Sequence, residues 1–382
     1  MNDKEKYLDN ILRKISNEIS ITDSMMDKAV SSYESVGKWL GDGITYSVHV
    51  MPQGSMSLGT VVKPISDRDD YDIDLVCLLE DGNYLSAAKI KKTVGDRLKE
   101  HAIYKQKIES EGEGRRCWKM KYDEFHMDIL PCVPKTAYVD PLITDIRLTH
   151  KNDNDTYEDR YSNPAGYHSW FEERMRDILI REKQNYAVRN KLELENVPTY
   201  KVKTPLQIVV QLLKRHRDIC FEREPEIAPI SIIITTLAAH AYNGETSVYE
   251  ALCNILQRMK NYIEIRNGIY YIANPVMDEE NFADKWAEYP ERRQAFFNWM
   301  SRARRELVDD PVSAIGIDQV AKCYSKALGD APISRAIKTL GYETQKDRIE
   351  NKLYSTGLAT GLTTNAAKNT KPVKGHTFFG EE

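Results

Sequence analysis

The segment Asp69-Asp70-Tyr71-Asp72-Ile73-Asp74-Leu75-Val76-Cys77-Leu78-Leu79 constrains the fold more than any other. Leu75 to Leu79 is an unbroken apolar run of strand length, led by two acidic residues at alternate positions. Successive side chains of a strand point to opposite faces, so Asp72 and Asp74 share a face, about 7 Å apart at a rise of about 3.4 Å per residue. Ile73, Leu75 and Cys77 take the other face. The strand must therefore enter a buried sheet with its carboxylates at the exposed end. Carboxylates at the edge of an apolar core are costly unless something neutralises them. A divalent cation is the natural partner, since magnesium takes hard oxygen ligands and is shared with substrate phosphates. An EF-hand is excluded, because Leu75 falls where that loop requires glycine. The nearby Asp67, Asp69 and Asp70 read as a solvated turn.

A third carboxylate stands in a second alternating run, Phe125-His126-Met127-Asp128-Ile129-Leu130-Pro131. Phe125, Met127 and Ile129 share one face; His126, Asp128 and Leu130 share the other. Three such carboxylates can hold two metals about 4 Å apart, the arrangement that clamps the attacking and leaving oxygens of phosphoryl transfer. Upstream, Gly54-Ser55-Met56-Ser57-Leu58-Gly59-Thr60 offers backbone N–H groups and hydroxyls suited to phosphate. A serine-hydrolase elbow does not fit, because Ser55 rather than glycine stands two residues before Ser57.

The rest of the chain supports a cytoplasmic two-lobed α/β (α+β) protein. With 382 residues it has the length of two domains. Leu8, Ile11, Leu12, Ile15 and Ile19 recur at helical spacing, and a second helical run ends at Gly41 and Gly43. From about 44 to 135 the pattern is strand and turn, clearest at Tyr71–Leu79, Arg116–Tyr122 and Phe125–Leu130, with one helix near Ser86–His101. From about 165 onward helices return. The tail from Ser355 is poor in apolar residues and reads as extended or disordered, except for Phe378 and Phe379. Lys and Arg number 54 against 58 Asp and Glu. That balance disfavours a long nucleic-acid partner, which calls for a basic excess. Six scattered cysteines without a C-x-x-C pair argue against a disulfide framework or zinc module and for a reducing cytosol. No segment is apolar enough over about 20 residues to span a membrane.

Gln53-Gly54-Ser55, Asp72-x-Asp74 and Asp128 together resemble the signature of polymerase-β-type nucleotidyltransferases. The second half narrows this. Ser162 to Phe171, Thr204 to Asp218, Pro229 to Leu237, Asn274-Pro275 and Glu280 to Trp286 resemble segments of the bacterial cGAS/DncV-like nucleotidyltransferases (CD-NTases) in order. The resemblance covers about residues 45 to 300. It implies a polymerase-β-like core with a mixed sheet in an N-terminal catalytic lobe (1–165), a helical lobe completing the nucleotide cleft (166–354) and a flexible tail (355–382). It implies magnesium-dependent synthesis of a cyclic di- or trinucleotide messenger in antiphage (CBASS) signalling. The substrates are nucleoside triphosphates, ATP or GTP foremost, and pyrophosphate is released. Asp72 and Asp74 would hold both ions, with manganese as a substitute. Asp128 would complete the metal site and help deprotonate the attacking ribose hydroxyl. Gln53, Gly54 and Ser55, with Lys214 and Ser231, would hold the triphosphate.

Read on their own, these segments leave alternatives open. Thr204-Pro205-Leu206-Gln207 has the cap, first-turn proline and third-position glutamine of a helix start. On that helix Leu206, Val210 and Leu213 form a core stripe; Gln207, Gln211, Lys214 and Asp218 form a polar one. Lys214 is either a phosphate partner or a surface lysine paired with Asp218. Ser231 is an N-cap, with or without a phosphate at the same helix end. Arg115, Arg116, Lys119 and Lys121 line a nucleotide groove or a solvated strand. A template-independent RNA terminal transferase or a linear oligoadenylate synthase shares the core, and a catalytically silent scaffold is a third reading. Phe378 and Phe379 either dock a regulatory partner encoded nearby or pack back on the body.

Overall fold

The computed structural model describes residues 1–66, 70–136, 144–196, 201–355, 362–363 and 370–373. In chain order the elements are α1 (Asp3–Ile19), α2 (Asp23–Gly43), β1 (Val48–Gln53), the single turn α3 (Gly54–Ser57), β2 (Tyr71–Leu79), α4 (Ala87–Glu100) and α5 (Ala102–Glu109). Next come β3 (Trp118–Lys121), β4 (Phe125–Pro134), β5 (Ile146–Lys151), β6 (Tyr157–Ser162), α6 (Pro164–Glu173), α7 (Arg176–Asn190), α8 (Pro205–Cys220), α9 (Ser231–Ala241) and α10 (Val248–Arg258). Four short strands follow: β7 (Glu264–Arg266), β8 (Ile269–Tyr271), β9 (Ala273–Asn274) and β10 (Met277–Asn281). Then come α11 (Lys285–Glu288), α12 (Pro290–Arg304), a π-helical turn (Arg305–Asp309), α13 (Asp310–Ser313), α14 (Gly316–Leu328) and α15 (Asp330–Ile349). In the tail, Tyr354–Ser355 pairs antiparallel with Leu362–Thr363 and with Lys371–Pro372. Phe378 and Phe379 lie outside the described residues.

The described chain forms two compact units, a sheet unit of Ile21–Lys203 with Tyr271–Phe282 and a helical unit of Met1–Ser20, Thr204–Tyr270 and the described residues from Ala283 on. These units do not follow the linear boundaries expected near 165 and 354. The apolar stripe of α1 (Leu8, Ile11, Leu12, Ile15 and Ile19) is fully buried, and α1 packs on α8, α10 and α15. Residues 166–203 and the β9–β10 hairpin belong with the sheet.

In the sheet unit the strand order is β1-β2-β4-β5-β6, with β3 paired on β4. Only β2 and β4 run parallel; the other pairings in this sheet are antiparallel. The strand at Tyr71–Leu79 has the expected bounds. β3 is shorter than expected because Cys117 closes a turn, its carbonyl accepting from the Gly114 N–H at 3.0 Å. β4 runs past Leu130 because Cys132 to Pro134 pair with β5. Ser86 caps α4 by accepting from the Lys89 N–H. One sheet face buries Ile73, Leu75, Cys77, Leu79, Phe125, Met127 and Ile129 against α2, α4 and α5. The other carries a small cluster of Val76, Cys132, Ile146 and Leu148.

The helical unit is centred on α8, which is buried all round from Pro205 to His216, as expected of a helix enclosed on every side. At its end His216 Nε2 lies 3.2 Å from Glu306 Oε2. The π-helical turn carries Glu306, whose carboxylate also meets Arg302 at 3.0 Å, Arg305 at 3.4 Å and Lys326 at 3.7 Å. His216, Cys220 and Glu306 bring metal-ligand atoms within 4.8 Å of one another. Burial pushes the Cys220 thiol up to about 11, and three partly exposed cations already balance the buried Glu306, so the cluster is an ion-pair network.

Two predictions follow from this packing. A Cβ on Gly95 of α4 would stand 2.1 Å from the Trp118 ring. Alanine is better in a helix by about 1 kcal/mol, but overpacking costs about 1–3 kcal/mol, and Trp118 is held by its Nε1–H bond to the Lys91 carbonyl. Gly95→Ala should therefore lower the melting temperature by several degrees; an unchanged or higher value would show that the indole slides aside. The second concerns acid. Burial alone would raise the Glu306 pKa, but His216 and Arg302 outweigh it and hold it at about 2. This carboxylate stabilises the fold above its ordinary pKa near 4.5 and loses that contribution as pH falls toward 2. In denaturant titrations the deficit of Glu306→Gln should shrink across that window; a constant deficit would contradict the ion-pair account.

Candidate active site

The parallel register of β2 and β4 places Asp74 opposite Asp128, Asp72 opposite His126 and Val76 opposite Leu130. Residues paired in register share a face, and neighbouring strands lie about 4.8 Å apart. Asp72, Asp74 and Asp128 therefore stand on one face, at the polar end of strands whose opposite face is core. Asp72 is exposed, and Asp74 and Asp128 are half-buried. β1 pairs antiparallel with β2 so that Gln53 stands opposite Asp74.

Directly after Gln53 the chain turns through Gly54 at φ +59°, where a side chain is strained. A Cβ there would lie 2.6 Å from Asp74 Oδ2. Glycine is required both for the turn and for backbone to pass this close to the carboxylate. The turn is closed by Leu58 N–H to Gly54 C=O at 3.2 Å and Thr60 N–H to Ser55 C=O at 2.9 Å. The six sheet-borne site residues (Gln53, Gly54, Ser55, Asp72, Asp74 and Asp128) thus come from β1, its following turn, β2 and β4.

Three further groups surround the carboxylates. In β3, Lys119 stands opposite Asp128 and Lys121 opposite His126, so both expected lysines lie on the carboxylate face. Cys117 Sγ lies 3.2 Å from Asp128 Oδ2. Burial, with the neighbouring Asp128 charge, pushes this thiol up to about 12, so the thiol is the donor. His126 Nε2 meets Asp70 Oδ2 at 2.8 Å, and its Nδ1 lies 3.9 Å from Glu111. This corrects the reading of Asp70 as part of a solvated turn: its side chain is 16% exposed and contacts the His126 ring. Asp67 and Asp69 lie outside the described residues. Arg115 is exposed and paired with Asp153. The contact of His126 with Asp70 is long-range and that of Cys117 arises only when β3 pairs with β4, and the alternation of β4 signals only the face that His126 takes.

Lys214 and Ser231 belong to the helical unit. Lys214 is buried, which removes the surface-lysine reading; Asp218 is engaged by Arg217 at 2.5 Å. Ser231 is the first residue of α9 and the cap position falls on Ile230, which corrects the expected N-cap. The physical reason is Arg217, whose guanidinium donates to Ser231 Oγ at 3.2 Å and to the Pro229 carbonyl at 2.6 Å. The helix start at Thr204 is as expected, a capping box with Gln207. Gln211 of the same stripe is buried and bonded to Ser16 and Ser20.

A family model described as "Cyclic GMP-AMP synthase DncV-like, nucleotidyltransferase domain" matches residues 48–131. That span carries every sheet-borne site residue. A c-di-GMP synthase of Roseivirga ehrenbergii is 31% identical over 384 residues, covering 98% of this chain and 97% of the relative. The chain belongs to the DncV-like nucleotidyltransferase family. A cyclic dinucleotide synthase, CdnG, of Bradyrhizobium diazoefficiens is 24% identical over 98% of this chain and 95% of its own length. The fold agrees: the structure of the Bradyrhizobium diazoefficiens CD-NTase CdnG in complex with GTP superposes with a TM-score of 0.69 at 20% identity, over 87% of this chain and 99% of that one. This chain is accordingly an enzyme, a nucleotidyltransferase, with the mixed α/β fold that its sequence implied.

Gly54 offers a direct test of the site geometry. Gly54→Ala adds a Cβ beside Asp74 and strains a left-handed backbone by about 1–3 kcal/mol. Nucleotide turnover by this DncV-like enzyme should fall at least about 100-fold, the order seen when about 3 kcal/mol of transition-state positioning is lost, while the melting temperature moves by only a few degrees. Near-normal turnover would show that the turn does not work with Asp74.

Proposed function

We propose that this DncV-like nucleotidyltransferase joins two molecules of GTP into cyclic di-GMP, releasing two pyrophosphates, as a messenger in antiphage signalling. The observation that carries the reading is the register that sets Asp72, Asp74 and Asp128 on one face beside the Gly54 turn. The choice of guanine rests on the Roseivirga relative, matched over nearly its full length and named for c-di-GMP, and on GTP in the Bradyrhizobium complex. In each half-reaction a ribose hydroxyl attacks the α-phosphorus of the other nucleotide. A P–O bond forms, the bond to the β-phosphate bridging oxygen breaks, and pyrophosphate leaves.

The donor set fits magnesium, with manganese as a substitute: three hard carboxylates meet where the Gly54 turn leaves no room for a side chain. Asp72, Asp74 and Asp128 would hold two ions, which when bound supply positive charge against the triphosphate and favour the ionised hydroxyl. Asp128 takes the proton from the attacking hydroxyl. Gln53, Gly54 and Ser55 hold the triphosphate from the end of β1 and its turn. Lys214 and Ser231, carried by the helical unit, keep the phosphate-binding assignment that the resemblance gives them; burial of Lys214 supports a role other than solvation. Three carboxylates kept in register disfavour a silent scaffold. Relatives matched end to end and named as cyclic dinucleotide synthases favour cyclisation over terminal transfer or linear oligoadenylate synthesis. No described helix is long and apolar enough to cross a membrane, which fits the cytoplasmic setting proposed here. A regulatory partner at Phe378 and Phe379 is part of the proposal only through the resemblance.

Incubating the purified chain with magnesium and GTP, alone and with ATP, CTP and UTP, tests the reading by mass spectrometry of phosphatase-resistant product. GTP alone should give cyclic di-GMP. A mixed cyclic product would overturn the base assignment. Extension of an RNA primer, or absence of any cyclic product with either magnesium or manganese, would overturn the activity. Asp72→Asn with Asp74→Asn should lower turnover by at least about 1,000-fold, a loss of about 4 kcal/mol, with the fold retained by circular dichroism.

A further inference from the structure

The loop between α5 and β3 is braced more heavily than a connection requires. The buried Lys91 ammonium donates to the Gly114 carbonyl at 2.8 Å. Gly114 N–H donates to the Cys117 carbonyl at 3.0 Å, Lys119 N–H to the Gly112 carbonyl at 3.2 Å, and Lys151 N–H to the Arg115 carbonyl at 2.8 Å. The Glu113 carboxylate takes the Lys151 ammonium at 3.1 Å and the Tyr157 hydroxyl at 2.7 Å. A Cβ on Gly114 would come within 3.0 Å of Cys117 Sγ, so glycine there leaves the sulfur its room. These contacts fix the position of one functional atom, Cys117 Sγ, which is buried and 3.2 Å from Asp128 Oδ2.

We propose that Cys117 is a positioning residue for Asp128, its thiol bond to one carboxylate oxygen turning the other toward the cation site. The proposal rests on the reading of Asp128 as a metal-holding and proton-accepting carboxylate. The final torsion of an aspartate is broad rather than confined to one rotamer, so the strand alone does not fix which way the oxygens point. A hydrogen bond on Oδ2 does. A thiol is a weak, neutral donor, so it orients the carboxylate without cancelling the charge that a cation needs. Groups that orient metal-binding side chains in this way typically matter by about 10–100-fold in metal affinity or activity.

The full-length chain tests this by manganese binding, read from loss of the free-ion paramagnetic signal, beside turnover. Cys117→Val keeps the bulk and removes the donor; Cys117→Ser restores a donor. Val should weaken manganese binding about tenfold and raise the magnesium concentration for half-maximal turnover by a similar factor. The KM for GTP at saturating magnesium should stay near normal. Ser should remain within about threefold of the parent. Wild-type manganese affinity in the Val variant, or a Ser variant as weak as Val although equally folded, would overturn the proposal. If Val melts early, Cys117→Ala replaces it with the same expected outcomes. Asp128→Asn separates the two levels of inference. If Asn leaves manganese binding and turnover intact, the role of Asp128 falls; if Asn abolishes both and Val changes neither, only the role of Cys117 falls.

Discussion

Everything in the sheet unit turns on one pairing, the parallel contact of β2 with β4. It sets Asp74 beside Asp128 and, by alternation, puts Asp72 on the same face. The same alternation drives Ile73, Leu75, Phe125, Met127 and Ile129 into the opposite face, where α2, α4 and α5 cover them. Core and candidate site are two faces of the same two strands. A slip of one residue between these strands would bury the carboxylates and expose the core, so apolar burial enforces the register that groups them. Around this face the polar groups are graded: Gln53 and the Gly54 turn on one side, Lys119 and Lys121 on the other, with His126 tying the segment before β2 to β4 through Asp70.

The helical unit follows a different logic. Its central helix is buried from Pro205 to His216, so its polar residues are held by partners inside the protein. Gln207 closes its own cap, Gln211 is shared by two serines of α1's end, and Arg215 donates to the Leu328 carbonyl at 3.1 Å. At its far end a π-helical turn aims Glu306 inward at His216. Burial also lowers the His216 pKa, a shift that Glu306 opposes.

Local pattern made much of this legible. The Asp-x-Asp lead into an apolar run marked β2 to the residue, and the capping signals at Thr204 marked the start of α8. Where pattern was misleading, a distant partner decided. Ser231 looked like a cap, but Arg217 occupies its hydroxyl and the helix begins at Ser231 itself. Lys214 was open between a phosphate partner and a surface lysine, and the second reading falls because other helices pack around α8 and bury it. Asp70 looked like a turn residue until β4 brought His126 to it. α1 belongs with helices two hundred residues downstream, a grouping that no linear boundary can express. Cys117 carried no signal at all, because its meaning lies in the pairing of β3 with β4.

Parallel pairing also has a consequence for how the protein comes into being. Parallel neighbours cannot be joined by a tight hairpin and need a long crossover, here α4, α5 and β3 between β2 and β4. The face that carries the three carboxylates therefore does not exist in any short stretch of chain. It assembles only after the ribosome has released β4 and the crossover has closed, a step of high contact order and correspondingly slow. A nascent or truncated chain ending before Asp128 would carry Asp72 and Asp74 but no complete site.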